Sequence, residues 1–174
     1  NTLSSEAAGK LGQGPYAVVT AGVRRKTGEH AAIKTVCKRY LKTNEEKMSV
    51  RREVELQQRL KHPNITSMFE VFESDEYLHM VMQRSWGGTL AQLLKKRRKL
   101  QPLVAARLVQ QLLRALVYLH AQGVLHCDIK PENMLLDDGG RGSATRVGSA
   151  PSDAKTTLSK QRAASMPVIP DMSK

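Results

Sequence analysis

The stretch HCDIKPENMLL, from His126 to Leu136, decides how this chain is interpreted. It has too many polar groups for a buried strand and too many apolar groups for a free loop. Asp128 can accept a proton from a hydroxyl and orient that hydroxyl, and Lys130 can neutralise charge on a transferred group. Asn133 offers a carbonyl oxygen to a hard cation such as Mg²⁺. The stretch therefore predicts a catalytic loop for phosphoryl transfer.

Composition limits the size and location of the protein. The 174 residues, 40% of them hydrophobic, suit one domain or two small lobes that share a cleft. The two cysteines, Cys37 and Cys127, lack metal-ligand spacing and indicate a reduced protein in the cytoplasm or nucleus. We find no signal-peptide pattern and expect no apolar run long enough to span a bilayer. We therefore expect an intracellular protein without a membrane partner.

The net charge of +12 would suit nucleic acid, a phosphate-rich ligand or acidic partners. The densest basic run is KKRRK, Lys95 to Lys99. It could be a nuclear-import or nucleic-acid patch. We favour a second interpretation, in which the run is the solvated face of a helix whose apolar face consists of Leu90, Leu93 and Leu94. No aromatic residues interleave with the cations, as base stacking would require. Nucleic acid is therefore an improbable partner.

The first part of the chain, from Ala7 to about Met82, is rich in predicted strands. AVVTAGVRR and EHAAIKTVCK are strand-like runs separated by a turn at KTGE. Thr43 or Asn44 can cap a helix that continues to Leu60, with apolar residues at helical spacing. ITSMFEVFES and EYLHMVMQ predict two further strands.

The middle of the chain is predominantly helical. SWGG, from Ser85 to Gly88, is a hinge-like break, and TLAQLLKKRRKL predicts a short amphipathic helix. A longer helix should begin at Pro102 and end just before Gly123. Its broad apolar stripe should be buried, and includes Leu103, Ala106, Val109, Leu112, Leu113, Leu116 and Val117. From residue 139 to 174 the composition predicts a largely disordered tail.

Three further features of the first part concern phosphate binding. Gly12 and Gly14 lie between two predicted strands, where backbone N–H groups can approach phosphate oxygens. Lys34 ends the apolar run AAIK, and a buried ammonium needs an anionic partner such as a phosphate or a carboxylate. The carboxylate could come from the predicted helix, where the candidates are Glu45, Glu46, Glu53 and Glu55.

A Gly-rich turn, a strand lysine, a helix glutamate, hinge glycines and HCDIKPENMLL follow one another in this order. In this order the chain resembles the eukaryotic protein kinase family, on the serine/threonine side. LKHPNI, GGTL and DIKPEN are similar to the calmodulin-dependent-kinase-like branch. The resemblance covers Leu11 to about Asp138. It implies an α+β fold with an antiparallel-sheet N-lobe and one long helix (1–84), an incomplete, mostly helical C-lobe (85–138) and the tail (139–174).

The resemblance also implies ATP and Mg²⁺ as cofactors and proteins with Ser/Thr hydroxyls as substrates. Asp128 would be the catalytic base, Lys130 the phosphate-neutralising lysine and Asn133 the magnesium ligand. Glu53, by its spacing to HPNI, would hold Lys34. The implied nucleotide-binding residues are Leu11, Gly12, Gly14, Val19, Ala32, Lys34, Glu53, Met82, Gln83, Ser85 and Leu135.

Two departures from the family pattern affect the expected activity. Cys127 stands where the family usually has an arginine that reads a phosphorylated activation loop. No Asp-Phe-Gly follows Asn133, and the best alignment puts Ser149 at the metal-binding aspartate. We therefore expect a protein serine/threonine kinase sequence whose isolated chain has little turnover. The alternative is a pseudokinase or fragment that acts as a nucleotide- or protein-binding module. The sequence does not define an oligomeric state.

Overall fold

A computed structural model of the chain describes residues 3–4, 9–25, 27–137 and 155–158. The chain divides into two compact units. The first comprises Asn1–Lys61 and Ser67–Arg84, and the second comprises His62–Thr66 and Ser85–Lys174.

The first unit is built on one antiparallel sheet. Its strands are β1 (Leu3–Ser4), β2 (Lys10–Gln13), β3 (Ala17–Arg24), β4 (His30–Cys37), β5 (Met68–Glu73) and β6 (Tyr77–Gln83). The strand order is β1-β3-β4-β6-β5, and β2 also pairs with β3. Gly28, at φ 70°, forms the turn between β3 and β4, where a left-handed backbone favours glycine. The strand-rich prediction for this part of the chain is confirmed.

The long helix of the first unit, α1, runs from Asn44 to Arg59. Thr43 is its N-cap: the Thr43 side chain accepts a hydrogen bond from the Glu46 N–H, and the Glu46 side chain accepts one from the Thr43 N–H. This reciprocal capping explains why the helix starts where the sequence placed it. Val50 and Val54 pack against a buried cluster formed by Val36, Leu41, Leu78 and Met80.

Among the residues that the structure describes, the second unit has two α-helices and a two-stranded sheet. Helix α2 spans Leu90–Arg97, with Thr89 as its N-cap, and α3 spans Pro102–Ala121. A single 3₁₀ turn, Pro131–Asn133, precedes β7 (Met134–Asp137). Gly123, at φ 68°, follows the end of α3, as the sequence predicted.

Helix α3 differs from the prediction of a buried apolar stripe. Leu108, Ala115 and Leu119 are its buried residues. The stripe residues Leu103, Val109, Leu113 and Val117 are 65%, 50%, 54% and 70% exposed. The pattern identified the helix correctly but not its buried side, because α3 is apolar around most of its circumference.

The prediction that no apolar run could span a bilayer is wrong for α3 by length and composition. Among the residues that the structure describes, α3 is the one helix long and apolar enough to cross a membrane. It carries Arg107 and Arg114 near its middle, and arginine at such depth is costly in a bilayer.

A strand interrupts the tail that was predicted to be disordered. Strand β8 (Lys155–Leu158) pairs antiparallel with β7, with Met134 opposite Leu158 and Asp137 opposite Lys155. Its sequence, KTTL, contains two β-branched threonines, which favour extended backbone, and β7 provides an edge to pair with. The prediction is thus incorrect for these four residues, and the rest of the tail lies outside the described residues.

The SWGG segment is attached to β7 by its backbone. The Gly87 N–H donates to the Leu136 carbonyl, and the Leu136 N–H donates to the Gly88 carbonyl, each at 2.8 Å. A Cβ atom on Gly87 would lie 2.7 Å from the Leu136 carbonyl oxygen and 2.9 Å from the Leu136 Cβ. Only glycine therefore fits at position 87 without a backbone shift.

Gly87→Ala is expected to lower the free energy of unfolding of the second unit by about 2 kcal/mol, because the added methyl overpacks against backbone that has no rotamer to relax into. Urea unfolding followed by the fluorescence of Trp86, the single tryptophan, measures this change. Gly9→Ala is the control, since a Cβ there meets nothing within 4 Å. An equal loss in both variants would contradict the steric argument.

Candidate active site

The Gly-rich turn is a hairpin between β2 and β3. Gly12 lies opposite Val19 within the paired strands, and the Gly14 N–H donates to the Ala17 carbonyl at 2.8 Å. Gly12 is thus part of β2 itself, whereas the sequence had placed it between strands. Leu11 is 45% exposed beside it. The hairpin brings together Leu11, Gly12, Gly14 and Val19, as the family resemblance implied.

The residues expected around a nucleotide lie on one face of the sheet. Val19 pairs with Lys34, and Ala32 pairs with Met82. Because alternate residues of a strand and directly opposed residues of neighbouring strands share a face, these four side chains belong to the same side. Gln83 ends β6, and its N–H donates to the Ser67 carbonyl at 2.8 Å. Ser85 opens the second unit.

The carboxylate partner of Lys34 is Glu53. Lys34 and Glu53 are 8% and 6% exposed, and the Lys34 Nζ lies 2.6 Å from the Glu53 Oε1. The competing carboxylates are excluded by position, since Glu45 and Glu55 are exposed and Glu46 caps α1. Because both charges are buried, removing either residue would leave the other charge without a partner in the protein interior. The ammonium is thus held in a fixed position on the sheet.

Glu46 has a separate, local role. The Thr43 N–H, the Tyr16 hydroxyl and the Lys42 N–H all donate to its carboxylate, and these bonds lower the pKa of Glu46 below its ordinary value. The first turn of α1 is thereby tied to the end of the Gly-rich hairpin.

The second unit brings Asp128, Lys130 and Asn133 together. The Lys130 Nζ lies 3.0 Å from the Asp128 Oδ1. The Asn133 Nδ2 donates to the Asp128 carbonyl oxygen at 2.7 Å and to Asp128 Oδ2 at 2.9 Å. Asn133 is 1% exposed, so this amide is fixed by its surroundings. The three side chains therefore form one hydrogen-bonded group.

The environment of Asp128 favours its ionised form. The hydrogen bond from Lys130, followed by that from Asn133, lowers the pKa of the Asp128 carboxyl below its ordinary value. A carboxylate with a lowered pKa is a weaker base. An ionised Asp128 can orient a hydroxyl and accept its proton.

The sequence pattern assigned no role in the site to His126 or Cys127. His126 is 7% exposed, and its Nδ1 accepts a hydrogen bond from the Asp128 N–H at 3.3 Å. Cys127 is exposed and has φ 58°, a left-handed conformation that is uncommon outside glycine. This sharp turn between His126 and Asp128 directs the carboxylate into the cluster. In the sequence, the only sign of this contact is that a histidine, His126, lies two residues before Asp128.

Leu135 and the oxygen donors that could bind a metal also belong to the second unit. Leu135 lies in β7, where it is bridged to Thr89 and paired with Thr157. Asn133 and Asp128 carry hard oxygen donors, which fit Mg²⁺. No group of three or more His, Cys, Asp or Glu residues with metal-binding geometry occurs among the residues that the structure describes. Ser149, aligned with the missing metal-binding aspartate, lies outside them.

A Lys–Glu pair in a strand-rich unit and an Asp–Lys–Asn cluster just before β7 are features typical of protein kinases. The family model described as protein kinase domain matches residues 5–149. The chain therefore belongs to the protein kinase family.

Individual relatives agree with this assignment. The human hormonally up-regulated neu tumor-associated kinase is 38% identical over 130 residues, which cover 74% of this chain and 18% of that protein. A probable myosin light chain kinase of Dictyostelium discoideum is 34% identical, covering 79% of this chain and 39% of its own length. The crystal structure of Rad53 1-466 in complex with AMP-PNP matches with a TM-score of 0.74 and 31% identity, covering 78% of this chain and 36% of that one. The chain thus spans well under half the length of these relatives.

Proposed function

We propose that this chain carries the ATP-binding and catalytic-loop portion of a protein serine/threonine kinase. The observation that carries the proposal is the Asp128–Lys130–Asn133 cluster, in which a carboxylate, an ammonium and an amide are joined by bonds of 2.7–3.0 Å. The Lys34–Glu53 pair in the first unit supports it independently. Between them these residues provide the charges that phosphoryl transfer requires.

Each residue has a defined role in the proposed reaction. Lys34 binds oxygens of the α- and β-phosphates, and Glu53 keeps its ammonium in place. Asp128 orients the substrate hydroxyl and accepts its proton, while Lys130 neutralises negative charge on the transferred γ-phosphoryl group. In the first unit, the Gly12–Gly14 backbone covers the phosphates, and Ala32 and Met82 contact the adenine.

Magnesium is part of the proposal through Asn133. Bound Mg²⁺ would offset the charge of the phosphate oxygens. The Asn133 Nδ2 donates to Asp128, which fixes the orientation of the amide, and an amide carbonyl oxygen is a ligand type that Mg²⁺ accepts. A lysine two residues after Asp128, together with relatives such as the probable myosin light chain kinase, favours Ser/Thr hydroxyls of proteins as acceptors.

Turnover by this chain is expected to be low. No Asp-Phe-Gly follows Asn133 in the sequence. Loss of one of two metal ligands removes about 3 kcal/mol or more of transition-state stabilisation. The two cysteines fit the proposed cytoplasmic or nuclear location, where thiols stay reduced.

Thermal-shift titration with Mg-ATP tests the nucleotide site. We expect a saturable rise in melting temperature for the natural chain and its loss in Lys34→Met. Lys42→Met, which removes an exposed lysine, is the matched control and should keep the shift. A shift that survives Lys34→Met would contradict the assigned site. In a radiolabelled ATP transfer assay, robust Asp128-dependent phosphorylation would overturn the expectation of low turnover.

A further inference from the structure

We propose that Tyr16 is a positioning residue for the nucleotide phosphates, because its hydroxyl fixes the Gly-rich hairpin against α1. In the proposed function, on which this inference rests, the hairpin covers the phosphates and α1 carries Glu53. Tyr16 lies between β2 and β3, and its hydroxyl donates to the Glu46 Oε1 at 3.0 Å, across 30 residues of sequence. All of these residues belong to the first unit.

The backbone around Tyr16 is held by hydrogen bonds on both of its sides. The Gly14 N–H donates to the Ala17 carbonyl at 2.8 Å and closes the turn. The Cys37 N–H, at the end of β4, donates to the Tyr16 carbonyl at 3.0 Å. Ala17 also packs against the buried cluster that contains Val36. Tyr16 therefore joins three elements, which are the Gly-rich hairpin, the end of β4 and the first turn of α1.

The Tyr16 contact adds a polar attachment of α1 to the sheet, beside the 2.6 Å contact between Glu53 and Lys34. Glu46 lies seven residues before Glu53. The two carboxylates therefore project from nearly the same side of α1 and are about 10 Å apart along its axis. On β4, Lys34 and Cys37 are likewise about 10 Å apart along the strand. A single attachment leaves a helix free to rotate about it, whereas two attachments fix its direction.

The two contacts make the hairpin and the Lys34–Glu53 pair depend on the same helix. A movement of α1 that separates Glu53 from Lys34 also displaces its first turn from Tyr16. Phosphates that bind Lys34 stabilise the arrangement in which Glu53 also contacts it, and the Tyr16 hydroxyl then holds the hairpin over these phosphates. By linkage, an ordered hairpin and bound phosphates stabilise each other. A ligand without phosphates makes no such contacts, so its affinity should not depend on the hydroxyl.

A role limited to capping α1 would not require Tyr16. The N–H groups of Thr43 and Lys42 donate to the Glu46 Oε2, whereas Tyr16 donates to the Oε1. The cap therefore uses one carboxylate oxygen and leaves the other for the hairpin. Because Tyr16 is 42% exposed, water can replace its hydroxyl in the free protein. We therefore expect the hydroxyl to affect phosphate binding much more than folding.

Isothermal titration calorimetry of the full chain with Mg-ATP and with adenosine tests the proposal. Tyr16→Phe should weaken Mg-ATP binding about five- to tenfold, as for one half-exposed hydrogen bond, and change adenosine binding by less than about twofold. Tyr40→Phe is the matched control and should leave both affinities unchanged. Tyr40 is 45% exposed, and its hydroxyl accepts a hydrogen bond at 2.9 Å from its neighbour Arg39, so that bond joins no separate elements.

Hydrogen exchange gives a readout that a merely structural hydroxyl would not change. In the natural chain and in Tyr40→Phe, Mg-ATP should slow exchange of the Glu46 N–H, which donates to the Thr43 Oγ1 at 3.1 Å, by about threefold or more. This protection should disappear in Tyr16→Phe, even at saturating Mg-ATP. Without nucleotide, Tyr16→Phe should also raise the pKa of Glu46, since the Tyr16 hydroxyl is the second of the donors that lower it, after the Thr43 N–H.

Each possible failure has a distinct meaning. Normal Mg-ATP binding by Tyr16→Phe overturns the role of Tyr16 alone, as does an equal loss of affinity for Mg-ATP and adenosine. An unchanged pKa of Glu46 in this variant would show that the hydroxyl bond does not form in solution, which also overturns that role. Failure of the natural chain to bind Mg-ATP overturns the proposed function, and the phosphate role of Tyr16 with it.

Discussion

Replacing Glu53 by alanine is expected to lower the free energy of unfolding of the first unit by about 3–5 kcal/mol, because an uncompensated lysine charge is left buried. Lys34 is 8% exposed, and its Nζ lies 2.6 Å from the Glu53 Oε1. Without that carboxylate the lysine must lose its proton, move to water or disrupt the sheet. Native-state hydrogen exchange at the Met80 and Val81 amides, in the most buried part of β6, measures the loss.

Glu55→Ala is the matched control for this prediction. Glu55 lies two residues further along α1 but is exposed, so its removal should change the free energy of unfolding by less than about 0.5 kcal/mol. The double variant Lys34→Met with Glu53→Leu should recover most of the stability lost by Glu53→Ala, since an apolar pair of similar volume often replaces a buried ion pair at little cost. If Glu53→Ala and Glu55→Ala are equally mild, the ion pair is not the structural element we describe.

This comparison also separates stability from function. If the double variant folds well but no longer responds to Mg-ATP, the charged pair is maintained for nucleotide binding and not for the fold. That outcome is the one we expect, because a buried ion pair is a weak source of net stability.

The elements that the sequence predicted well are those set by local chemistry. Thr43 and Glu46 form the capping box that starts α1, and Gly28 and Gly123 occupy left-handed positions. Each depends on a few neighbouring residues whose backbone preferences are strong. The Asp128–Lys130–Asn133 cluster was predictable for the same reason, because six consecutive residues carry all of its chemistry.

The elements that the sequence did not predict depend on distant partners. Which side of α3 is buried is decided by what the rest of the second unit places against it, and α3 is too uniformly apolar for its pattern to choose. Strand β8 is separated from β7 by 17 intervening residues and lies in a segment whose composition indicates disorder. Glu53 could be chosen over Glu45, Glu46 and Glu55 only from the spacing to HPNI typical of the kinase family or from its contact with Lys34 in the structure.

Asn133→Ala is expected to lower the free energy of unfolding of the second unit by about 3 kcal/mol, because two hydrogen bonds to Asp128 are lost, one of them to its charged carboxylate. Asn133 is 1% exposed, so water does not readily replace the missing amide. The pKa of Asp128 should rise toward its ordinary value, since Asn133 is the second of the two hydrogen-bond donors that lower it, after Lys130. Urea unfolding followed by Trp86 fluorescence measures the stability, and the Asp128 carboxyl carbon shift in an NMR titration measures the pKa.

The sign of the pH dependence gives an independent check. A carboxyl whose pKa is lowered by folding stabilises the protein above its ordinary pKa, and that contribution is lost as the pH falls through the ordinary value toward the lowered one. Asn133→Ala should therefore reduce the acid sensitivity of the second unit, even though the variant is less stable at neutral pH. Asn64→Ala is the control, because Asn64 is also buried but donates to the neutral Gln111 side chain at 3.1 Å. Its cost should be smaller, about 1–2 kcal/mol, without a change in acid sensitivity. Equal acid sensitivity of the natural chain and Asn133→Ala would show that Asn133 does not hold the Asp128 carboxylate, and the catalytic cluster would lose its central contact.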